Sequence, residues 1–221
     1  MATTAFIATN RLLIETAYLA LILIPCLWVF SRTWRLYRFS GRQSVKWFSL
    51  SFLLFGIAFL TRYVSLLVLL SHGQSQVSTL QAVNLPLFLM ELTITLPGFL
   101  LVHSLTRKQL PGIKPWHLVL IATATSAIDL WLDTFILLYT TQVALFLLGS
   151  WHAWRRHRRK PTTHRHTLAL TMTILLAVWI VNAIGQGTID DQPWLRLPVY
   201  LLTVAGMWLF LTIVRRLLKK Q

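Results

Sequence analysis

The stretch Trp116–Trp154, WHLVLIATATSAIDLWLDTFILLYTTQVALFLLGSWHAW, decides the fold, because it reads either as one interrupted apolar run or as two membrane helices. A helix crossing about 30 Å of hydrocarbon needs roughly 20 mostly apolar residues, and this run is too long for a single crossing. Asp129 and Asp133 interrupt it near the middle. Divided there, it gives a short helix over roughly 115–130 and a second over roughly 134–154.

Outside this stretch, apolar runs of membrane length fall at roughly 8–30, 46–70, 79–105, 167–187 and 195–216. The chain of 221 residues is 56% hydrophobic and 12% charged, a balance that belongs to a polytopic membrane protein and not to a water-soluble domain. The division at Asp129 and Asp133 therefore sets the number of spans at seven, against six without it.

Charge supports seven. Arg32, Arg35, Arg38, Arg42 and Lys46 follow the first span, and Arg107, Lys108 and Lys114 the third. Arg155, Arg156, Arg158, Arg159, Lys160 and Arg165 follow the fifth, and Arg215, Arg216, Lys219 and Lys220 close the chain. The alternate connections, SHGQSQVST, DLWLD and GTIDDQPW, contain no lysine or arginine. With seven spans every basic connection lies on one side, which places the N-terminus outside and the C-terminus in the cytoplasm. The expectation is an all-α integral membrane protein, a single seven-helix bundle over 1–221. Its start, MATTAFIATNRLLIETAYLALILIPC, has neither a basic first segment nor a small-residue cleavage site, so it reads as a retained first span.

The net charge of +15 could suggest nucleic acid, but the basic residues sit in blocks between apolar runs instead of on one water-facing surface. No nucleic-acid partner is expected. The block SWHAWRRHRRKPTTHRHT reads as a cytoplasmic loop whose charges meet anionic headgroups, each worth about 1 kcal/mol near the surface. A protein partner could dock on the same basic face. Cys26 is the only cysteine, so no intrachain disulfide can form.

Arg62 lies inside the run SLSFLLFGIAFLTRYVSLLVLLSHG, where a full charge costs about 2.5–3.5 kcal/mol on insertion scales and needs a partner. Glu15 and Glu91 are the acidic residues expected at its depth, in the outer half of the membrane, so Arg62 should bridge to Glu91 or alternatively to Glu15. Gln142 and Asn182, the latter followed one turn on by Gln186, reach the same level from other spans. Asn84, Glu91 and Gly98 form a polar or small stripe on the third span, and Pro97 beside Gly98 permits a kink. Glu15, Arg62, Glu91, Gln142 and Asn182 are thus the candidate ligand-binding residues, weighed against a plain ion pair that only fixes helix packing.

No catalytic residue or cofactor is expected. His103, His117 and His152 fall at the cytoplasmic ends of their spans and are weak candidates for metal ligands, because no HxxxH or HExxH pair fixes their spacing. Ser150 lies two residues from His152, which turns the two side chains apart on a helix. Asp129 and Asp133 read as solvated groups at a helix end. Seven spans with the N-terminus outside resembles rhodopsins and heptahelical receptors in topology alone, since the last span has no lysine to hold retinal. The expected function is a non-enzymatic, receptor-like or binding bundle for a small or lipidic ligand. The alternatives are a secondary transporter using the Glu/Arg site and an accessory or scaffold subunit of a membrane complex.

Overall fold

The computed structural model describes residues 10–71, 79–106, 114–132, 135–159, 162–189 and 196–218. Seven helices fill them: α1 (Arg11–Ser40), α2 (Gln43–Ser71), α3 (Thr79–Thr106), α4 (Pro115–Leu132), α5 (Ile136–Arg159), α6 (Thr163–Ile189) and α7 (Arg196–Leu218). Six are long and apolar enough to cross a membrane, as expected of a multi-pass protein; α4 is the one outside that group. It is the shortest, and its 18 residues include His117 and Asp129, which lower its apolar character.

Several helices run past the expected spans. The first does not stop near residue 30 but continues to Ser40, and α5 continues to Arg159. Of the SWHAWRRHRRKPTTHRHT block read as a loop, Ser150–Arg159 is helical and α6 begins at Thr163. Basic residues mark where a helix leaves the apolar layer, not where it ends, because long cationic stems lie along the helix and favour its C-terminal dipole. Arg32 sits over the Trp28 ring at 5.7 Å, an arrangement that keeps α1 helical through its charged turns. The helix closes at Gly41, whose φ of 63° is the left-handed conformation glycine adopts without strain. Its N–H donates to the Tyr37 carbonyl at 2.8 Å, and α2 starts two residues later.

The chain forms two compact units, Met1–Pro25 with Gln142–Gln221 and Cys26–Thr141, whose boundaries fall inside α1 and α5. In the first, α6 packs on α7. Tyr18 of α1 stacks on Tyr200 of α7 with ring centroids 4.2 Å apart, and the Trp208 indole N–H donates to the Leu21 carbonyl at 3.1 Å. The Trp154 indole N–H of α5 donates to the Thr173 hydroxyl of α6 at 3.0 Å. In the second unit α3 packs on both α2 and α4. The Ser49 hydroxyl of α2 donates to the Phe30 carbonyl of α1 at 3.1 Å, and Phe52, Ala58, Leu101 and Ala122 are among its buried side chains.

Gly206 sets how closely α7 approaches α6. A Cβ at this position would stand only 2.3 Å from Val178 Cγ2. Valine in a helix has essentially one χ1 rotamer, so the helices and not the side chain must give way. Gly206→Ala should therefore destabilise the protein by roughly 1–3 kcal/mol, as overpacking does in a filled interior. The check is the thermal midpoint of the purified chain in detergent; an unchanged midpoint would mean that α6 and α7 have slack at this crossing.

Candidate functional site

The five residues singled out from the sequence divide between the units. Arg62 (α2) and Glu91 (α3) belong to Cys26–Thr141, whereas Glu15 (α1), Gln142 (α5) and Asn182 (α6) belong to the other. Within the latter, Glu15 is buried and its Oε1 accepts a 2.5 Å hydrogen bond from the Tyr200 hydroxyl. The Asn182 amide donates to the Thr203 hydroxyl at 2.9 Å and to the Val178 carbonyl of its own helix at 2.8 Å. Thr203 in turn donates to the Val199 carbonyl at 2.8 Å. These are short polar ties between paired helices, of the kind that specify packing in an apolar medium. Gln142 is fully buried.

The α2–α4 unit is different. Glu91 is 2% exposed, and its Oε2 has no hydrogen-bond partner. The expected fork from Arg62 does not reach that oxygen; Arg62 is half-buried on α2. The physical reason is that equal depth in two spans fixes only one coordinate, while the rotation of each helix decides which side chains meet. Gly98 is buried on α3 along with Glu91, in keeping with the expected inward stripe, while the side chain of Asn84 lies outside the described residues.

Asp129 corrects the expectation of a solvated helix end. Its carboxylate is fully buried, with Oδ1 accepting from the Leu137 N–H at 3.0 Å and Oδ2 from the Leu138 N–H at 2.6 Å. Those are the second and third residues of α5, whose N–H groups have no partner inside their own helix. The last turn of α4 thus supplies the cap for α5, and the helix dipole favours the negative charge there. Asp133 lies outside the described residues.

The other end of α4 is equally well specified. Pro115 opens the helix, and His117 Nδ1 accepts from the Lys114 N–H at 3.1 Å, the reciprocal half of a capping box with histidine in place of Glu or Gln. This local role, with the Trp116 ring stacked at 3.7 Å, accounts for His117 without a metal. Among the described residues no group of three or more His, Cys, Asp or Glu side chains could hold a metal ion, so His103, His117 and His152 are not assembled into one.

Two buried hydroxyls not singled out from the sequence lie on the same two helices, α3 and α4. Thr95 and Ser126 are 0% and 1% exposed, and neither oxygen has a hydrogen-bond partner. The sequence signal for them is spacing: Thr95 follows Glu91 by four residues on α3, and Ala122, Ser126 and Asp129 share one face of α4. Tyr200 and Thr203 carried no such signal, since neither is a charge at membrane depth.

Asp129→Ala should lower stability by about 2 kcal/mol, the upper range for losing a cap, because two N–H groups of α5 lose their acceptor away from water. Asp129→Asn, which keeps one acceptor oxygen, should lose less. Thermal unfolding in detergent orders the three proteins; equal midpoints for wild type and Asp129→Ala would show that α5 is capped by other means.

No protein-family model matches the chain, and no curated protein or solved structure matches it significantly.

Proposed function

We propose that the chain is a non-enzymatic membrane protein of seven spans, N-terminus outside and C-terminus in the cytoplasm, that binds a small polar ligand through the α2–α4 layer around Glu91. The observation that carries this reading is the Glu91 carboxylate, buried with Oε2 unpaired. A buried acceptor without a donor costs about 1–3 kcal/mol, which a ligand bringing a donor or a positive end recovers on binding. Ionisable groups inside membrane helices are for that reason functional candidates.

The pattern on α4 supports counting it as the seventh span. It buries Leu118, Ala122, Ser126 and Asp129 while exposing Val119, Leu120, Ile121, Ile128 and Trp131. Acid inward and large apolar groups outward is the arrangement that lipid requires and water opposes. At 1.5 Å per residue its 18 residues cover about 27 Å, close to the hydrocarbon thickness. Seven spans also gather every basic connection on one side, where anionic headgroups or a protein partner would meet them.

Glu15 and Asn182 are assigned to packing in this reading, because each is tied to α7 through Tyr200 or Thr203. An accessory role would extend that packing function to the whole chain. The burial of Glu91 and Asp129 favours a second reading, secondary transport coupled to an ion, since acids at membrane depth recur in ion pathways.

Two measurements test the proposal. Metabolites screened for thermal stabilisation should yield a ligand that raises the melting temperature of the wild type but not of Glu91→Gln; stabilisation of both equally would place binding away from Glu91. Single cysteines introduced in the 72–78 and 156–163 segments of a Cys26→Ala chain should be labelled from opposite faces of the membrane. Labelling from the same face would remove the seventh span.

A further inference from the structure

The basic end of α5 and the start of α6 meet through three rings. Trp154 and His157 of α5 have ring centroids 5.8 Å apart, Trp154 and His166 of α6 likewise 5.8 Å, and the two imidazoles 5.1 Å. All three pairs stand edge to face, an arrangement that rings favour at such separations. Trp154 holds the cluster in place, since its indole N–H is committed to the Thr173 hydroxyl at 3.0 Å and Thr173 donates onward to the Ala169 carbonyl at 3.0 Å. His157 continues the inward stripe of α5 that buries Phe146, Ser150 and Ala153, and its Nδ1 is enclosed without a hydrogen-bond partner. A nitrogen enclosed in that way favours the tautomer with the proton on Nε2, which makes Nε2 a donor.

The charge around these rings has one sign. Arg155, Arg156, Arg158 and Arg159 occupy the last turns of α5, and no Asp or Glu occurs between Asp133 and Asp190, so neither helix supplies an acid to balance them. The C-terminus of α5 and the N-terminus of α6 present opposite ends of the helix dipole, which offset each other and leave the side chains to decide what binds. Cationic neighbours repel a metal ion, and among the described residues no group of three ligands could hold one. An anion is attracted instead. Depth narrows its kind: the stretch of α5 long and apolar enough to cross a membrane ends at Arg159, and that of α6 begins at His166, so the rings sit at headgroup level. Further in along α5, the exposed Leu147, Leu148 and Trp151 offer an apolar surface to acyl chains.

We propose that the Trp154, His157 and His166 cluster is a binding site for the phosphate group of an anionic phospholipid. The site uses none of the residues around Glu91 and stands or falls without the binding reading above. It also differs from the diffuse attraction expected of any basic segment, because particular ring nitrogens donate to the phosphate while the arginines of the last α5 turns supply the field. A phosphate has several acceptor oxygens and meets two imidazole donors at once, each bond strengthened by its charge. Trp154, with its N–H already committed, acts as the wall that sets the spacing of the two imidazoles. A zwitterionic headgroup carries the same phosphate but adds a quaternary ammonium that the arginines repel, so the site selects a lipid of net negative charge.

The test uses the full chain purified in a non-ionic detergent, with its melting temperature followed as dioctanoyl phosphatidylglycerol, dioctanoyl phosphatidylcholine or inorganic phosphate is added. Phosphatidylglycerol should raise the midpoint saturably, as a ligand of the folded state does, and the other two should not. His157→Phe and His166→Phe each keep a ring against Trp154, remove the nitrogens and leave every arginine in place. Each should weaken the apparent affinity for phosphatidylglycerol about tenfold, the loss of one hydrogen bond to a charged group. Diffuse attraction would leave both variants like the wild type, because the arginines that produce it are untouched. His166 is exposed, so His166→Phe remains a folded test even if the half-buried position 157 tolerates no change. Wild-type affinity in His166→Phe overturns the proposal, as does equal stabilisation by phosphatidylcholine. A response to inorganic phosphate with none to phosphatidylglycerol would assign the site to free phosphate and overturn the lipid.

Discussion

The two hydrogen bonds from the Leu137 and Leu138 N–H groups to the Asp129 carboxylate are the contact on which the middle of the molecule depends. Every helix end leaves backbone donors unpaired, and at the start of a membrane helix water is scarce. Here the acceptor comes from the last turn of the preceding helix, so the end of α4 and the start of α5 are specified together. The same carboxylate fixes the rotation of α4, because a buried Asp129 carries Ser126, Ala122 and Leu118 inward with it. In the proposed topology the chain reverses between α4 and α5, which sets the parity of the spans and through it the side on which each basic segment emerges.

Both Asp129 oxygens are taken by the N-terminal N–H groups of α5, whereas Glu91 Oε2 has gained no donor. Helix packing alone would be better served by an apolar side chain at position 91, since replacing a buried ionic group by a well-packed apolar one is often neutral or stabilising. The unpaired Glu91 oxygen and the unpaired hydroxyls of Thr95 and Ser126 are what the proposed binding reading rests on. Glu15 and Asn182 show what a staple looks like in the same protein, each with a hydroxyl-bearing partner on α7 at hydrogen-bond distance.

The two halves of the polar inventory also differ in how they hold helices together. In the α6–α7 pair, close approach at Gly206 against Val178 and the tie from Asn182 to Thr203 act side by side, a small residue for contact and an amide for register. In α3 and α4, Glu91 Oε2, Thr95 Oγ1 and Ser126 Oγ are buried without a hydrogen-bond partner, whereas Asn182 and Thr203 of α6 and α7 satisfy each other.

The sequence by itself determined the all-helical membrane character and the division of the Trp116–Trp154 stretch into two helices, because a bilayer enforces apolar length and keeps most charges at the ends of spans. It also marked Glu91 as a buried intramembrane acid through its stripe with Gly98. Helix ends were less legible: α1 and α5 carry their arginines on helical turns, since a cationic side chain is compatible with both helix and loop. What only the tertiary structure decided is partnership. Depth along a helix can be read from residue number, but rotation about its axis follows from packing against neighbours far away in the chain. That is why Asp129 proved to be a buried cap instead of a solvated end, why Glu15 found Tyr200, and why Glu91 Oε2 lies buried without a hydrogen-bond partner.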